Sequence, residues 1–422
     1  MERNLLHHVL SAQWGEARYL SNAVSRTMEI QGDLSKQEVS IITGVRRCGK
    51  SSYLRQLAVS LSGNFAPILV EFDDPNLEGF RGQDFSQLIS IWEELNPGDN
   101  RARIFLLDEI QNVEGWEKWV TQLAKDRSNK IIVTGSNSKM LSSELGTLLT
   151  GRHITHEMTP FSFSEVCNAF RREPRLHQSE ENVAEQVYKL YSKFGGFPRA
   201  YVEKDTSVLP RYLADFLERD VIARHGARLS RPLKELIRVC CSSNTRLVNR
   251  SKIAKELGIK DDATVKRYMN WFAECYVFFE VKQFFASVRK QMRSQSKLYF
   301  IDPALAQQST FSVMGTEGAF LENSVYLELR RRGYEIFYWK SEKSDSEVDF
   351  VARKAGNDLQ AVQVSLTVVD EKTLDRELRG LSNISRELGI KDLLLITLAD
   401  KERSIKFNGC DIRFVSFLNW AQ

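Results

Sequence analysis

The sequence predicts an α/β protein of several domains, and three observations support this fold class. Four short apolar segments, EVSIITG, PILVEFDD, RIFLLDEI and KIIVTGS, alternate with amphipathic stretches between residues 38 and 163. Such alternation is typical of a parallel sheet whose strands are buried on both faces. The pattern becomes helical after Pro160, and strand-like segments return toward the C-terminus. A chain of 422 residues with 42% hydrophobic content is long enough for two or three domains, each with its own core.

These changes of pattern divide the chain into four predicted domains. Residues 1–160 contain the parallel sheet, and residues 161–230 are helical. Residues 231–310 contain the helices SKIAKELGI and DDATVKRYMNWFAECY, then strands on either side of the basic loop SVRKQMRSQSK, an order typical of a winged helix-turn-helix. Residues 311–422 predict a helix, three strands, a helix and a strand, which we interpret as a separate small α/β domain.

Composition excludes several classes of protein. The sequence has no run of 18 or more apolar residues and no signal-peptide pattern at its N-terminus, so we expect a soluble, cytoplasmic protein without a membrane partner. Its six cysteines show no metal-binding spacing, which argues against zinc and against a disulfide framework. The net charge of +4 says little about partners by itself.

A glycine-rich segment follows the first apolar strand. GVRRCGKS, residues 44–51, matches the P-loop pattern in full and precedes the helical stretch SSYLRQLAVSL. In a P-loop several backbone N–H groups face the phosphates, the lysine reaches the β and γ phosphates, and the serine hydroxyl is a ligand for Mg²⁺. We therefore predict a site for ATP and Mg²⁺ with contacts from Gly44, Arg47, Cys48, Gly49, Lys50, Ser51 and Ser52.

Two acidic residues follow the strand RIFLL. Asp108 is predicted to hold Mg²⁺ together with Ser51, and Glu109 to polarise the attacking water. A further strand, residues 130–134, ends in Gly-Ser-Asn and brings a short polar side chain to the same edge of the sheet. Thr134, Ser136 and Asn137 cannot be separated by sequence, and we favour Ser136 as the residue that senses the γ-phosphate.

These segments, together with TGSNSKMLSSELGTLLTGRHITHEMTPFSFSEV and FGGFPRAY, resemble the AAA-type ATPases of the archaeal branch, close to signal-transducing STAND ATPases. The resemblance extends over nearly the whole chain. It implies an ATPase domain in residues 1–160, a helical lid in residues 161–230 and a homo-oligomer, with a hexamer expected. It also implies that Arg152 is an arginine finger and that Pro198, in the Gly-Gly-x-Pro segment of the lid, lies near the base of ATP.

Positive charge is concentrated between Asn244 and Lys297, where twelve Lys or Arg residues face five Asp or Glu. Cations on a flexible hairpin suit sequence-independent contact with phosphates, so this segment predicts a DNA-binding surface. The residues assigned to it are Lys266, Arg267, Arg289, Lys290, Arg293 and Lys297. Winged helices in this ATPase branch also serve as lids or as protein docking modules, and that alternative stays open.

The C-terminal pattern resembles the PD-(D/E)xK nuclease fold, in which a helix Glu, a strand Asp and an acid-x-Lys pair surround Mg²⁺. Glu322 and Asp349 match the first two positions, whereas Gln363 and Ser365 stand where an acid and the lysine belong. A neutral amide and a hydroxyl replace these groups poorly. We therefore predict a degenerate nuclease fold, although Glu347 or a shifted lysine could complete the site.

The leading hypothesis from sequence is a DNA-binding ATPase that couples hydrolysis to remodelling of, or translocation along, branched or single-stranded DNA as a ring or spiral. The competing hypothesis is a STAND-like switch in which the bound nucleotide controls recruitment of a protein partner. An active Mg²⁺-dependent nuclease is the third.

Overall fold

This computed structural model describes residues 1–19, 24–30, 34, 38–135, 153–172, 180–226, 231–310, 316–354, 356 and 358–422. The chain divides into two compact units, Met1–Phe161 and Ser162–Gln422. Within these ranges no helix is long and apolar enough to cross a membrane.

The first unit is built on a five-stranded parallel sheet. Four strands coincide with the apolar segments of the sequence, and their side chains are almost entirely buried, because helices cover a parallel sheet on both faces. The fifth strand has the sequence HITHE. Most of its residues are polar and it lacks the apolar run of the other strands, so it could not be predicted from the sequence. The spatial order is β2-β3-β4-β1-β5. The strands are β1 (Val39–Thr43), β2 (Ala66–Glu71), β3 (Arg103–Asp108), β4 (Lys130–Gly135) and β5 (His153–Glu157).

Helices pack on this sheet. Among the described residues of this unit, those of four residues or more are Arg3–Tyr19, Lys50–Leu61, Phe85–Leu95 and Trp116–Leu123. The first precedes the predicted α/β pattern, and its Leu6, Val9 and Leu10 belong to the core cluster formed with β1, β2 and β3. Burying three aliphatic side chains stabilises this docking by about 2 kcal/mol for each fully buried side chain.

The second unit begins with helices. Between Val208 and His225 the helix is not α-helical throughout, because a π-helical segment spans Phe216–Ile222. The helices in this part are Phe163–Arg172, Glu180–Phe194, Pro198–Glu203, Val208–Asp215, Ala223–His225 and Arg231–Ser242.

A small antiparallel sheet follows, with the order β6-β8-β7. The two predicted helices lie at Arg250–Leu257 and Asp262–Glu274, the second capped by Asp261, whose carboxylate accepts from the Thr264 N–H at 2.7 Å. The basic loop does not form the expected flexible hairpin, because it contains the helix Val288–Arg293. The strands are β6 (Leu247–Val248), β7 (Phe278–Lys282) and β8 (Ser296–Phe300), and the helix Pro303–Gln308 follows.

The chain ends in a six-stranded mixed sheet with the order β13-β14-β12-β11-β10-β9. The expected helix, three strands, helix and strand are present, and β13 and β14 extend the sheet beyond β12. The elements are the helix Thr316–Arg331, β9 (Glu335–Lys340), β10 (Glu347–Arg353), β11 (Leu359–Val364), the helix Glu371–Leu388, β12 (Asp392–Thr397), β13 (Arg403–Phe407), β14 (Cys410–Ser416) and the helix Phe417–Trp420.

Candidate functional site

The glycine-rich segment forms a tight loop between β1 and the helix Lys50–Leu61. Gly49 has φ 105° and is the N-cap of that helix, and Arg47 also has a positive φ of 67°. A Cβ on Gly44 would lie 2.1 Å from the backbone oxygen of Met158. The loop therefore needs glycine at this position, and its N–H groups lie at the positive end of a helix, where phosphates bind.

Lys50 is buried at the first position of this helix. Its ammonium donates to the carbonyl oxygens of Gly44 at 3.1 Å and Val45 at 3.3 Å, and it lies 3.8 Å from Glu109 Oε1. These contacts hold a cation at the mouth of the loop, next to the acidic end of β3. An ammonium has three donors that can exchange a carbonyl for a phosphate oxygen.

Asp108 ends β3 and is buried. The hydroxyl of Thr134, at the end of neighbouring β4, donates to its Oδ1, and the Ser51 hydroxyl also bonds to it. Burial first, and then the charge of Glu109, raise the pKa of Asp108 to about 6 against the effect of these hydrogen bonds. Within the described ranges no lysine or arginine pairs with Asp108, so a buried carboxylate faces two hydroxyls without a cationic partner.

Glu109 occupies an unusual backbone conformation, with φ 48° and ψ 45°. Its N–H donates to Thr134 Oγ1 at 3.0 Å, and its carboxylate accepts from Gln111 Nε2. A left-handed glutamate costs about 1–2 kcal/mol, and such costs concentrate at functional sites. Gln111 Oε1 is buried and, among the described residues, has no hydrogen-bond partner, so an acceptor beside Glu109 remains available to a bound group.

The other predicted contacts are located as follows. Arg47 and Ser52 are exposed, Cys48 is buried, and Ser136 and Arg152 lie outside the described residues. Sequence reasoning left Thr134 unresolved and missed Arg26. The Arg26 guanidinium donates to the Cys48 carbonyl at 2.9 Å and to the Thr159 carbonyl at 2.5 Å, and it therefore fixes the outer side of the P-loop. No local sequence motif identifies Arg26, because its partners are distant in sequence.

We expect Gly44→Ala to lower the free energy of unfolding of the first unit by about 2 kcal/mol or more, and to weaken ATP binding at least about ten-fold. The added methyl group would overlap the Met158 carbonyl. Urea unfolding and a fluorescent ATP analogue measure the two effects. The matched control is Gly63→Ala, since nothing lies within 4 Å of a Cβ there. Equal stability of both variants would contradict the close approach at Gly44.

Pro198 lies in the second unit, where it starts the helix Pro198–Glu203. The preceding Gly-Gly-Phe segment binds a buried carboxylate, because Asp302 Oδ2 accepts from the N–H groups of Gly196 at 2.7 Å and Phe197 at 3.2 Å. A Cβ on Gly195 would lie 2.5 Å from Asp302 Oδ1. The described contacts therefore assign this motif to holding Asp302, and contact between Pro198 and nucleotide stays a prediction.

The cations assigned to DNA binding do not all share one environment. Lys266 and Arg267 are exposed on the helix Asp262–Glu274. Arg289, Lys290 and Arg293 are exposed on the helix Val288–Arg293, where Lys290 pairs with Glu342 at 3.0 Å.

Lys297, at the second position of β8, is only 5% exposed. Its ammonium lies 2.7 Å from Glu347 Oε1, 3.3 Å from Asp349 Oδ1 and 3.6 Å from Glu322 Oε1. Burial lowers the pKa of this lysine, but the three carboxylates outweigh that effect and raise it. The assignment of Lys297 to a DNA-binding loop is therefore wrong for this structure, because its charge is committed to an internal cluster.

The acidic residues of the nuclease-like pattern do meet, with Lys297 between them. Gln363 Oε1 accepts from the Asp349 N–H at 3.1 Å, and Tyr299 donates to Glu322 Oε1 at 2.7 Å. Burial, above all, raises the pKa values of Glu322 and Asp349. Over the described parts of the chain, no group of three or more His, Cys, Asp or Glu side chains could hold a metal ion.

Comparison with known families agrees with this geometry. The AAA domain family matches residues 36–167. Two domains of unknown function, DUF8612 and DUF4143, match residues 185–312 and 317–415. The first unit is therefore an AAA-type P-loop domain, a fold that implies nucleotide binding.

Two relatives extend along most of the chain. A protein of Haemophilus influenzae described as uncharacterised is 31% identical over 349 residues, covering 78% of this chain and 83% of its own. An uncharacterised protein of Methanocaldococcus jannaschii is 30% identical over 429 residues, covering 95% and 91%. This chain belongs to the family of AAA-domain proteins that includes these two relatives.

Solved structures are more distant. RuvB of Thermotoga maritima is 14% identical and matches 58% of this chain and 82% of its own with a TM-score of 0.28. The ORC1 protein of Aeropyrum pernix, solved in complex with DNA, is 10% identical and matches 76% and 94% with a TM-score of 0.30. Matches this weak carry no argument about function.

Proposed function

We propose that this protein hydrolyses ATP with Mg²⁺ and couples hydrolysis to the remodelling of, or translocation along, DNA. The observation that carries the proposal is a convergence at one edge of the sheet. Asp108 and Glu109, at the end of β3, both bond Thr134 on β4, and Lys50, in the helix that follows β1, lies 3.8 Å from Glu109. Strand ends of a parallel sheet are where such folds bind ligands.

The residues present suit the nucleotide and its metal. Ser51 and Asp108 offer the hydroxyl and carboxylate oxygens that Mg²⁺ prefers, and among the described residues the buried Asp108 side chain bonds only the hydroxyls of Ser51 and Thr134. When bound, Mg²⁺ would neutralise negative charge that develops on the phosphates. Lys50 would bind the β and γ phosphates from the mouth of the loop.

Glu109 would act on the attacking water. Its carboxylate accepts from Gln111 and its backbone N–H donates to Thr134 Oγ1, so both its side chain and its backbone are anchored at the edge of the sheet. A fixed carboxylate can orient a water molecule and accept its proton, which contributes typically about 10²–10⁴-fold in rate. Sensing of the γ-phosphate by Ser136 and completion of the site by Arg152 of a neighbouring subunit belong to the same proposal, with a ring or spiral homo-oligomer, expected to be a hexamer.

The DNA part rests on exposed cations of the second unit. Within it we assign residues 231–310 to a winged helix and residues 311–422 to a nuclease-like domain that no longer cuts. The contacts would come from Lys266, Arg267, Arg289, Lys290 and Arg293. Against cleavage stands Gln363, which offers a neutral carbonyl in place of an acid.

Measuring ATPase rate with single-stranded, duplex and branched DNA tests the proposal, together with gel shifts at several salt concentrations. We expect at least one DNA form to stimulate hydrolysis.

Reversing the charges of Arg289, Lys290 and Arg293 should reduce the slope of log K for DNA binding against log salt concentration by about 2–3, one for each lost phosphate contact. The matched control reverses Lys401, Arg403 and Lys406, exposed cations at and next to β13. Unstimulated hydrolysis with no shift in any DNA would overturn the DNA part. Absence of any hydrolysis would overturn the enzymatic part.

A further inference from the structure

A groove of 630 Å³ lies in the second unit. Strand β7 contributes Phe279 through Lys282 to its lining, and the helices Asp262–Glu274, Val288–Arg293 and Thr316–Arg331 supply most of the rest. Its volume falls within the range of sites that bind small ligands or a short segment of chain.

The charges lining this groove do not cancel. Glu280 is neutralised internally, since its carboxylate lies 4.0 Å from Arg250 and 3.9 Å from Lys282 and accepts from Ser296 at 2.7 Å. Glu335 pairs with Arg353. Four cations line the groove against these two carboxylates: Arg250, Lys266, Lys282 and Arg330. Four cations outnumber two carboxylates along the lining, and Lys266 is exposed, so an anionic occupant is favoured.

Aliphatic side chains form part of the same lining. Val288 is 69% exposed and Met292 is 73% exposed. They are four residues apart, which places them on the same face of the helix Val288–Arg293. Exposed apolar side chains beside a groove mark binding surfaces, and methionine adapts its shape to varied partners.

Two of the three aromatic rings that line the groove are poorly placed for nucleobases, and the third, Tyr334, is only partly exposed and has the Lys354 ammonium 5.4 Å from its centre. Arg330 lies 4.0 Å from the centre of the Phe279 ring, and Tyr326 stacks on Tyr299 at 4.5 Å. Both Phe279 and Tyr326 are buried. Single-stranded nucleic acid binds largely through bases that stack on accessible rings, so this lining favours a peptide over a nucleic acid strand.

We propose that the groove binds an acidic peptide segment of a partner protein, with an aliphatic side chain of the peptide packed on Val288 and Met292 and its carboxylates facing the exposed Lys266. This adds a protein-binding site to an enzyme proposed to use ATP and DNA. Because Lys266 is also assigned to DNA, the peptide and DNA would compete for it, whereas the contact with Val288 and Met292 belongs to the peptide alone. Long-range attraction by the cations would speed association, while the aliphatic contact would slow dissociation.

A library of displayed random peptides of about 12 residues, selected on the full-length protein, identifies a probe. We expect enrichment of peptides that combine Asp or Glu with Leu, Ile or Met. The enriched peptide, labelled and measured by fluorescence anisotropy, should bind Met292→Ser at least about five-fold more weakly and Lys266→Glu about ten-fold more weakly, in line with one apolar and one ionic contact. Val369→Ser, which changes an aliphatic side chain that is 85% exposed elsewhere in this unit, should bind as the unaltered protein does.

Three outcomes would overturn the proposal. Selection could enrich no peptide, or peptides without acidic and aliphatic residues. The enriched peptide could bind Met292→Ser with unchanged affinity, which would place its site elsewhere. Finally, labelled oligothymidine could compete with the peptide and lose affinity for Met292→Ser to the same degree, which would make the groove a nucleic acid site.

Discussion

Glu109→Gln is expected to lower the rate of ATP hydrolysis by about 10³-fold while changing the affinity for ATP by less than about three-fold. Glutamine keeps the shape of the side chain but cannot accept a proton from water. The affinity is retained because Lys50 keeps its bonds to the carbonyl oxygens of Gly44 and Val45 when the 3.8 Å ion pair with Glu109 is lost. Steady-state hydrolysis and equilibrium binding of a fluorescent ATP analogue give the two quantities.

Two further variants make this expectation specific. Glu114→Gln removes an exposed carboxylate from the same loop, one that pairs with Arg81 at 3.6 Å, and it should leave hydrolysis unchanged. Lys50→Ala should show the opposite pattern to Glu109→Gln, with loss of ATP binding itself, because the ammonium that reaches the phosphates is removed. Hydrolysis by Glu109→Gln at the rate of the unaltered protein would remove Glu109 from the catalytic role.

The P-loop could be predicted because its function depends on a short continuous segment. Gly44, Gly49 and Lys50 are six residues apart at most, and the positive φ values and the helix start are local properties of these residue types. Asp108 and Glu109 could be predicted for the same reason, since the end of an apolar strand fixes the edge of the sheet to which they belong.

Residues whose roles depend on packing could not be predicted. Ser136 was favoured over Thr134 on sequence, and only the pairing of β3 with β4 shows that Thr134 bonds both Asp108 and Glu109. Arg26 is similar, because its partner Thr159 is 133 residues away. The polar strand β5 lacked a periodic apolar signal and depends on its pairing with β1.

The error at Lys297 has the same physical origin. A lysine in a run of basic residues indicates a solvated surface when only neighbours in sequence are considered. Its partners lie on the helix Thr316–Arg331 and on β10, and Asp349 is 52 residues away. Tertiary contacts therefore place this charge in the interior and not on the surface. Its removal is expected to have the largest effect on stability in the molecule.

Lys297→Met is expected to lower the free energy of unfolding of the second unit by about 3–5 kcal/mol near pH 8, because it leaves buried carboxylates without their cation. Burial already raises the pKa values of Glu322 and Asp349 above their ordinary range. When the pKa of a carboxyl group is higher in the folded state than in the unfolded state, the free energy of unfolding falls as pH rises from the unfolded pKa through the folded pKa. Removing the ammonium raises the folded values further, so the loss should be smaller near pH 5, where the carboxyl groups can remain protonated.

Urea unfolding of Lys297→Met at about pH 5 and about pH 8 measures this difference, and the same substitution at another lysine provides the control. Lys290 is exposed and forms a surface pair with Glu342, so Lys290→Met should cost about 1 kcal/mol or less at either pH. Adding Asp349→Asn to Lys297→Met should recover part of the lost stability, since one of the unpaired charges is removed. A loss of equal size at both pH values would assign Lys297 a packing role alone, and no loss near pH 8 would show that the carboxylates do not depend on its charge.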